Sequence, residues 1–237
     1  MRYGLLLALG IVVWSGSAGA QGLQLAWLSC YGSPSSTSEV IFDCNPSDGH
    51  VYPLCGTFQL PQRAAGIVTL QGSVDFRFRT ANIPPFWHLE SDGCNGSGIV
   101  LSAARPAGCE AYQAGWCDET GAGCGIAVAY MPGFAGPARA RLAITLSRPL
   151  AQPRDFEALP SKNFAFHLDF LMGNATTCTG CTSMARITWS ELDLLAADGA
   201  TRTILSSDID SWPDAYVNDI PVPTAGTTWG RLKALYR

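Results

Sequence analysis

From Leu23 onward, the chain alternates short apolar runs with turn-forming residues, and it has hardly any stretch of helical period. The segment VDFRFR, from Val74, has its apolar residues on one side of an extended strand and its charged residues on the other. This alternation indicates a strand with one buried and one solvated face. About ten strands are predicted, in segments that begin at Leu23, Glu39, Cys55, Ile67, Ala127, Arg139, Phe164, Met184 and Thr201.

Two of these segments predict in detail which side chains face the core. RARLAITL, from Arg139, directs its leucines and isoleucine inward and Arg139 and Arg141 outward. FAFHLDFL has His167 and Asp169 on its predicted outward face. Its predicted inward residues are Phe164, Phe166, Leu168 and Phe170.

Turns recur at intervals of about eight to fifteen residues with no helix between the predicted strands, which favours a sandwich over a βαβ fold. The predicted fold is all-β: a single antiparallel β-sandwich, jelly-roll-like, with disulfide-linked loops, over residues 21–226. Residues 92–125 are rich in Gly and Cys and predict a long cross-linked loop region. Residues 227–237 predict a short, basic, amphipathic helical tail, which either packs on the sandwich or serves as a sorting element.

The N-terminus has the pattern of a signal peptide over residues 1–20. Arg2 is followed by an apolar stretch from Leu5 to Trp14, and Ala18-Gly19-Ala20 is a small-residue cleavage pattern. No later segment is long or apolar enough to span a bilayer. The sequence therefore predicts a Sec-type signal and a secreted or periplasmic protein without a transmembrane segment.

Composition narrows the class of partner. The chain has 237 residues, with 15 basic and 19 acidic side chains and a formal net charge of −4, so we expect no nucleic-acid partner. Hydrophobic residues make up 47% and charged residues 14%, a composition that is poorly compatible with disorder.

All nine cysteines follow the predicted signal, and in an exported chain they predict disulfides with one thiol left over or paired between chains. Eight cysteines allow 105 connectivities, so spacing alone does not determine the pairing. We prefer local pairs, because each brackets a turn between two strand-like runs. These pairs are Cys30–Cys44, Cys94–Cys109, Cys117–Cys124 and Cys178–Cys181, with Cys55 as the free thiol.

Several segments together resemble a family of uncharacterised exported bacterial proteins. They are LQLAWLSC and FDCN near the start, FAGPARARL from Phe134, NFAFHLDFL followed by CTGC, and the ending TWGRLKALYR. The chain departs from that pattern at Cys55, where an apolar residue is usual, and in the added pair Cys117 and Cys124. The resemblance implies an exported β-rich protein, and it implies no activity.

WSELDLL contains the strongest enzymatic signal, because Glu191 and Asp193 point to the same face of a strand. The segment resembles the Glu-x-Asp-x-x-Glu strand of the jelly-roll family-16 glycoside hydrolases. Ala196 occupies the position of the final acid/base, so we favour a solvent-facing acidic strand over a catalytic pair. Retaining hydrolysis would require a third carboxylate about 5 Å from Glu191, which Glu90, Asp92 or Glu157 would have to supply from another strand.

Other candidate sites are weaker. Trp116 and Trp212 lie in predicted loops and are candidates for an exposed sugar-stacking platform. Asp208, Asp210 and Asp214 cluster in one loop and are candidates for calcium, although the EF-hand glycine and final glutamate are missing. Nucleotide-binding, zincin and serine-hydrolase motifs are missing, so we expect no cofactor.

We therefore predict an exported, non-catalytic β-sandwich protein with a structural or binding role outside the cytoplasm. Its partner would be a glycan or a cell-surface component. The alternative is a glycan-active enzyme or a carbohydrate-binding module on a jelly-roll fold.

Overall fold

The computed structural model describes residues 22–45, 49–113, 116–117, 123–175, 177–208 and 211–219. The predicted signal peptide and the predicted tail at 227–237 lie outside these ranges. No helix within them has the length and apolarity needed to cross a membrane. Regular structure in these ranges consists of strands and two short 3-10 turns, Pro85–Trp87 and Met172–Asn174.

The strands of the described residues are numbered in chain order. They are β1 (Gly22–Trp27), β2 (Glu39–Val40), β3 (Val51–Gln59), β4 (Ala64–Phe78), β5 (Ile99–Ser102), β6 (Gly125–Pro132), β7 (Arg139–Ser147), β8 (Arg154–Phe156), β9 (Asn163–Leu171), β10 (Ala185–Ala196), β11 (Thr201–Leu205) and β12 (Asp214–Val217).

Two sheets pack face to face. One has four strands in the order β1-β3-β9-β5, and the other has eight, in the order β2-β12-β10-β4-β7-β6 with β11 beside β10 and β8 beside β4. All pairings between these strands are antiparallel except the short β2–β12 pair, which is parallel. The predicted fold class, an all-β sandwich, is confirmed.

The inner faces of the two sheets form the main core. Trp27, Trp87 and Trp189 are fully buried in it. The alternation predicted for β4 and β7 is also found, since Phe76 and Leu142 are buried while the residues beside them face outward. Hydrophobic periodicity therefore identifies the inner faces correctly.

A bulge corrects the prediction for Phe164. Opposite Gly56 and Thr57, the register of β9 shifts by one residue, so that Gly56 pairs with Phe166 and Thr57 with Phe164. One extra residue moves a side chain to the other face of a sheet. Phe164 consequently lies on the outer face of the four-stranded sheet, in a second buried cluster with Cys30, Cys55, Cys109 and Tyr112. We call this cluster the covered face.

The disulfides correct three of the four predicted pairs. The structure joins Cys30 to Cys109, Cys44 to Cys181, Cys94 to Cys178 and Cys117 to Cys124, and it leaves Cys55 free and buried. The predicted pairs Cys30–Cys44, Cys94–Cys109 and Cys178–Cys181 are wrong. The three observed disulfides that replace them join cysteines 79, 137 and 84 residues apart, which the sandwich brings together. Only Cys117–Cys124, seven residues apart, follows the local rule.

Candidate functional site

The outer face of the eight-stranded sheet has a concentration of arginine that the overall composition hides. Strands β10, β4 and β7 are neighbours, and their register places Arg77 opposite Arg186 on one side and opposite Arg139 on the other. Three arginines therefore form one row across three strands. We call Arg186, Arg77 and Arg139 the arginine row.

Two ion pairs border this row. Asp75 accepts hydrogen bonds from Arg141 Nε and Nη2 at 2.6 and 2.8 Å. Asp214 accepts hydrogen bonds from Arg186 at 2.9 and 2.6 Å, and a third from the hydroxyl of Thr188 at 2.6 Å. These hydrogen bonds raise the pKa of Arg141 and of Arg186, so both guanidinium groups stay charged at any pH at which the fold exists.

Arg77 and Arg139 differ from their neighbours. Both are exposed, and neither guanidinium group makes an ion pair or hydrogen bond with another residue in the described part of the chain. Like charges directly opposite each other on a sheet are destabilising. The arginine row is thus unfavourable for folding alone and is suited to an anion from outside the chain.

The row lies in a groove of about 420 Å³. The β6–β7 hairpin forms one wall, where the ring of Phe134 lies 4.0 Å from the guanidinium carbon of Arg141. Ser190 and Ser206 add hydroxyl groups on the opposite side. A second groove of about 270 Å³ adjoins at Arg77 and continues to Arg79, whose guanidinium lies 3.4 Å from Asp219.

We call this whole surface the arginine face; its basic residues are Arg77, Arg79, Arg139, Arg141 and Arg186. Five of the 15 basic residues of the chain are concentrated here, although the net charge is −4. Guanidinium groups bind carboxylate, sulfate and phosphate oxygens with two parallel hydrogen bonds. The chemistry available on this surface is anion binding.

Counting charges over the whole chain misses this site. The signal was present in two strand segments, because Arg77-x-Arg79 and Arg139-x-Arg141 each put two arginines on the outward side of an alternating pattern. The sequence does not show that β10, β4 and β7 are neighbours in the sheet, and the arginines come together only in this strand order.

Glu191 and Asp193 lie on the same outer face, as the spacing predicts, but they do not form a catalytic set with the other candidate carboxylates. Asp193 accepts a hydrogen bond from Thr203 at 2.5 Å. Glu157 forms an ion pair with Arg63, which lies next to Ala64 at the start of β4. Glu191 lies opposite Ser73, nine residues after Ala64. At 3.3 Å per residue, these two points on β4 are about 30 Å apart. Glu90 and Asp92 belong to the loop that leads from Trp87 to β5, a strand of the four-stranded sheet. Glu191, by contrast, lies on β10 of the eight-stranded sheet.

The two tryptophans predicted to be exposed have opposite environments. Trp116 is fully buried and stacks on Phe156 with ring centroids 5.6 Å apart, so its predicted exposure is wrong. Its Gly- and Cys-rich surroundings resemble a surface loop, but Trp116 and Cys117 both belong to the main core. Trp212 is 63% exposed and stacks on Tyr31 at 6.0 Å.

The predicted calcium ligands are not assembled in the described residues. The carboxylate of Asp214 forms an ion pair with Arg186, whose positive charge would repel a calcium ion at the same carboxylate. Asp208 accepts a hydrogen bond from the backbone N–H of Leu205 at 2.9 Å, while Asp210 lies outside the described residues.

Sulfur atoms meet on the covered face. The Sγ atoms of Cys30, Cys55 and Cys109 all lie within 4.8 Å of one another. Two of them form a disulfide, so only the Cys55 thiol remains as a ligand, and the cluster cannot bind a metal while that bond is intact. Burial, with a smaller contribution from Asp169, raises the pKa of Cys55 to about 12, so the thiol is protonated at neutral pH.

No protein-family model and no curated protein matches the sequence. Among solved structures, the second type II cohesin module of the adaptor scaffoldin ScaA from Acetivibrio cellulolyticus has a TM-score of 0.41 at 8% identity, covering 85% of this chain and 98% of that one. A cohesin module from a family 33 glycoside hydrolase of Clostridium perfringens has a TM-score of 0.32 at 6% identity, covering 84% and 98%. Similarity at this level carries no argument about function.

Proposed function

We propose that this chain is a non-catalytic binding protein that works outside the cytoplasm and holds an acidic polysaccharide on its arginine face. The observation that carries the proposal is the arginine row, in which Arg77 and Arg139 have no carboxylate partner among the described residues. An anionic ligand would relieve the like-charge contacts of the row and complete the hydrogen bonding of these two guanidinium groups.

The spacing of the row favours a polysaccharide over an acidic peptide. Neighbouring strands lie about 4.8 Å apart, so the arginine positions repeat at that interval across the sheet. Side chains on one face of an extended peptide repeat at about 6.6 Å. A single sugar unit in an extended chain spans a distance close to the strand spacing, so successive sugars pass over successive arginine positions, and the long, flexible arginine side chains can turn toward their carboxylates.

A location outside the cytoplasm, which is part of this proposal, agrees with the choice of ligand, because acidic polysaccharides occur at cell surfaces. Four disulfides are typical of proteins that fold in an oxidising compartment. The signal-peptide pattern over residues 1–20 and the resemblance to exported bacterial proteins belong to the same proposal.

Calorimetric titration with polygalacturonate, neutral dextran and polyglutamate tests the proposal. We expect binding to polygalacturonate that weakens with salt and no binding to dextran. The double variant Arg77→Ala/Arg139→Ala should lose at least about tenfold in affinity, because each charge-assisted hydrogen bond contributes about 1.5–3 kcal/mol.

A matched control removes two positive charges elsewhere. Arg63 and Arg202 lie at the opposite end of the eight-stranded sheet, where Arg202 donates to the carbonyl of Gln62. Arg63→Ala/Arg202→Ala changes the net charge equally and should retain binding. Equal losses in both double variants would reduce the effect to net charge, and tighter binding to polyglutamate would identify an acidic peptide as the ligand class; either result overturns the proposal.

A further inference from the structure

Strand β6 is an open edge with unusual composition. It has β7 as its only strand partner in the described chain, and its sequence GIAVAYMP contains no charged residue. Ile126, Val128 and Met131 are 47%, 45% and 37% exposed. Natural edge strands usually include charges, bulges or a covering segment that prevents pairing with another chain. Among the described residues β6 has none of these, and its one proline, Pro132, stands at the end of the strand.

The hydrogen-bond pattern shows which backbone groups of β6 are open. The N–H of Phe78 donates to the carbonyl of Ala138 at 3.0 Å, so the even-numbered residues of β7 turn their backbone groups toward β4. The odd-numbered residues of β7 then bond to Ala127, Ala129 and Met131. The backbone groups of Ile126, Val128 and Tyr130 therefore point away from β7, and they have no backbone partner in the described chain.

We infer that β6 pairs with β6 of a second copy of this chain, antiparallel about a two-fold axis at Val128. In this register Val128 faces the partner's Val128, and Ile126 faces the partner's Tyr130. All three residues are those whose N–H and C=O groups are open, so the pairing forms about six main-chain hydrogen bonds. On the outer side, Ala127 faces the partner's Ala129, and both are small.

Three properties identify a second copy as the occupant. The register matches open groups only with open groups, which an isologous interface requires. Val128 faces the partner's Val128 and Ile126 faces the partner's Tyr130, so apolar side chains meet at all three positions, and aromatic–β-branched pairs stabilise antiparallel strands. The absence of charge on β6 means that the two-fold axis brings no like charges together. The interface lies at the small end of specific protein interfaces, so the dimer dissociates on dilution.

Cysteine cross-linking tests the register directly. Opposed residues in a hydrogen-bonded pair have Cα atoms about 5.5 Å apart, within the range of a disulfide. Val128→Cys should give a covalent dimer as the main product of mild oxidation. Val100→Cys is the matched control, because Val100 lies on β5, an edge strand of the four-stranded sheet, and is 46% exposed; it should stay monomeric. Mixing Ala127→Cys with Ala129→Cys should also give a covalent dimer.

Sedimentation equilibrium gives a second measurement that needs no new cysteine. The unmodified chain should change from monomer to dimer as its concentration rises. Val128→Lys should stay monomeric because it opposes two ammonium groups at the axis, and circular dichroism checks that it is folded. A monomer at every concentration, equal cross-linking of Val100→Cys and Val128→Cys, or an intact Val128→Lys dimer would each overturn the inference. These outcomes are independent of polysaccharide binding.

Discussion

The two sheets present outer faces of opposite character. On the four-stranded sheet, a loop that contains Cys109 and Tyr112 lies over Cys55 and Phe164, and all four residues are almost completely buried. On the eight-stranded sheet, the arginine face stays open and includes charged side chains. The first face therefore behaves as core although it lies outside the sandwich, and the second is free for recognition. Of the two outer faces, the covered face should contribute disulfide and apolar stabilisation, and the arginine face should contribute ligand binding.

The largest effect expected in the comparison of the two faces is loss of the disulfide that fastens the covering loop. Cys30→Ala/Cys109→Ala opens a connection across 79 residues, which the chain-entropy model values at about 4.5 kcal/mol of unfolding free energy. Cys117→Ala/Cys124→Ala opens a connection across seven residues and should lose about 2.5 kcal/mol. Chemical denaturation measures both. Equal losses would show that the Cys30–Cys109 disulfide contributes no more to stability than the Cys117–Cys124 disulfide.

The same substitution on each face gives the sharpest comparison. Phe164→Ala removes a fully buried ring from the covered face and should lower the unfolding free energy by about 3–5 kcal/mol. Phe134→Ala removes a 39% exposed ring that contacts Arg141, and it should lower it by less than about 1 kcal/mol. Similar losses in urea denaturation would contradict the division between the faces.

Alkaline pH should destabilise the covered face through Cys55. Its pKa rises from 9.0 to about 12 on folding, so above pH 9 the unfolded chain loses this proton while the folded chain keeps it. The contribution of the Cys55 thiol to the free energy of unfolding is therefore fully present below pH 9. It is lost as the pH rises toward 12, by up to about 1.4 kcal/mol per pH unit for one proton. Tyrosines such as Tyr112, whose pKa is also raised by burial, contribute to the decline in both proteins. The stability of Cys55→Ala should therefore fall less steeply with pH than that of the unmodified chain. Parallel curves for the two proteins would exclude this origin.

The smallest effect is expected on the arginine face. Arg77→Ala removes an exposed charge that has like charges on both sides, so the unfolding free energy should change by less than about 0.5 kcal/mol and, at low salt, rise. Denaturation at low and high salt measures this. A loss of 2 kcal/mol or more would mean that Arg77 is part of the fold rather than of a binding surface.

Alternation predicted most of the fold because the inner faces are apolar over long strands. It missed β5, β8 and β12, which have three or four residues each and are too short for a recognisable period. It also placed Phe164 on the wrong face, because the bulge opposite Gly56 depends on pairing with β3 and leaves no mark in β9 itself.

The site and the disulfides were harder to predict because they depend on which segments are neighbours. Cys44 and Cys181 are 137 residues apart and meet only after the sheets assemble. Arg77, Arg139 and Arg186 likewise become one row only through the order β10-β4-β7. A single sequence contains the direction of each side chain along its strand, and it does not contain the order of the strands.

The buried thiol of Cys55 is a built-in reporter of local opening. It is the only free cysteine among the described residues, and a reagent reaches it only when the covering loop lifts. The rate at which a thiol reagent labels the native protein, divided by the rate for an exposed thiol, therefore gives the equilibrium constant for this opening when closing is fast. One residue thus reports the local free energy of the covered face, separately from global unfolding and without altering the arginine face.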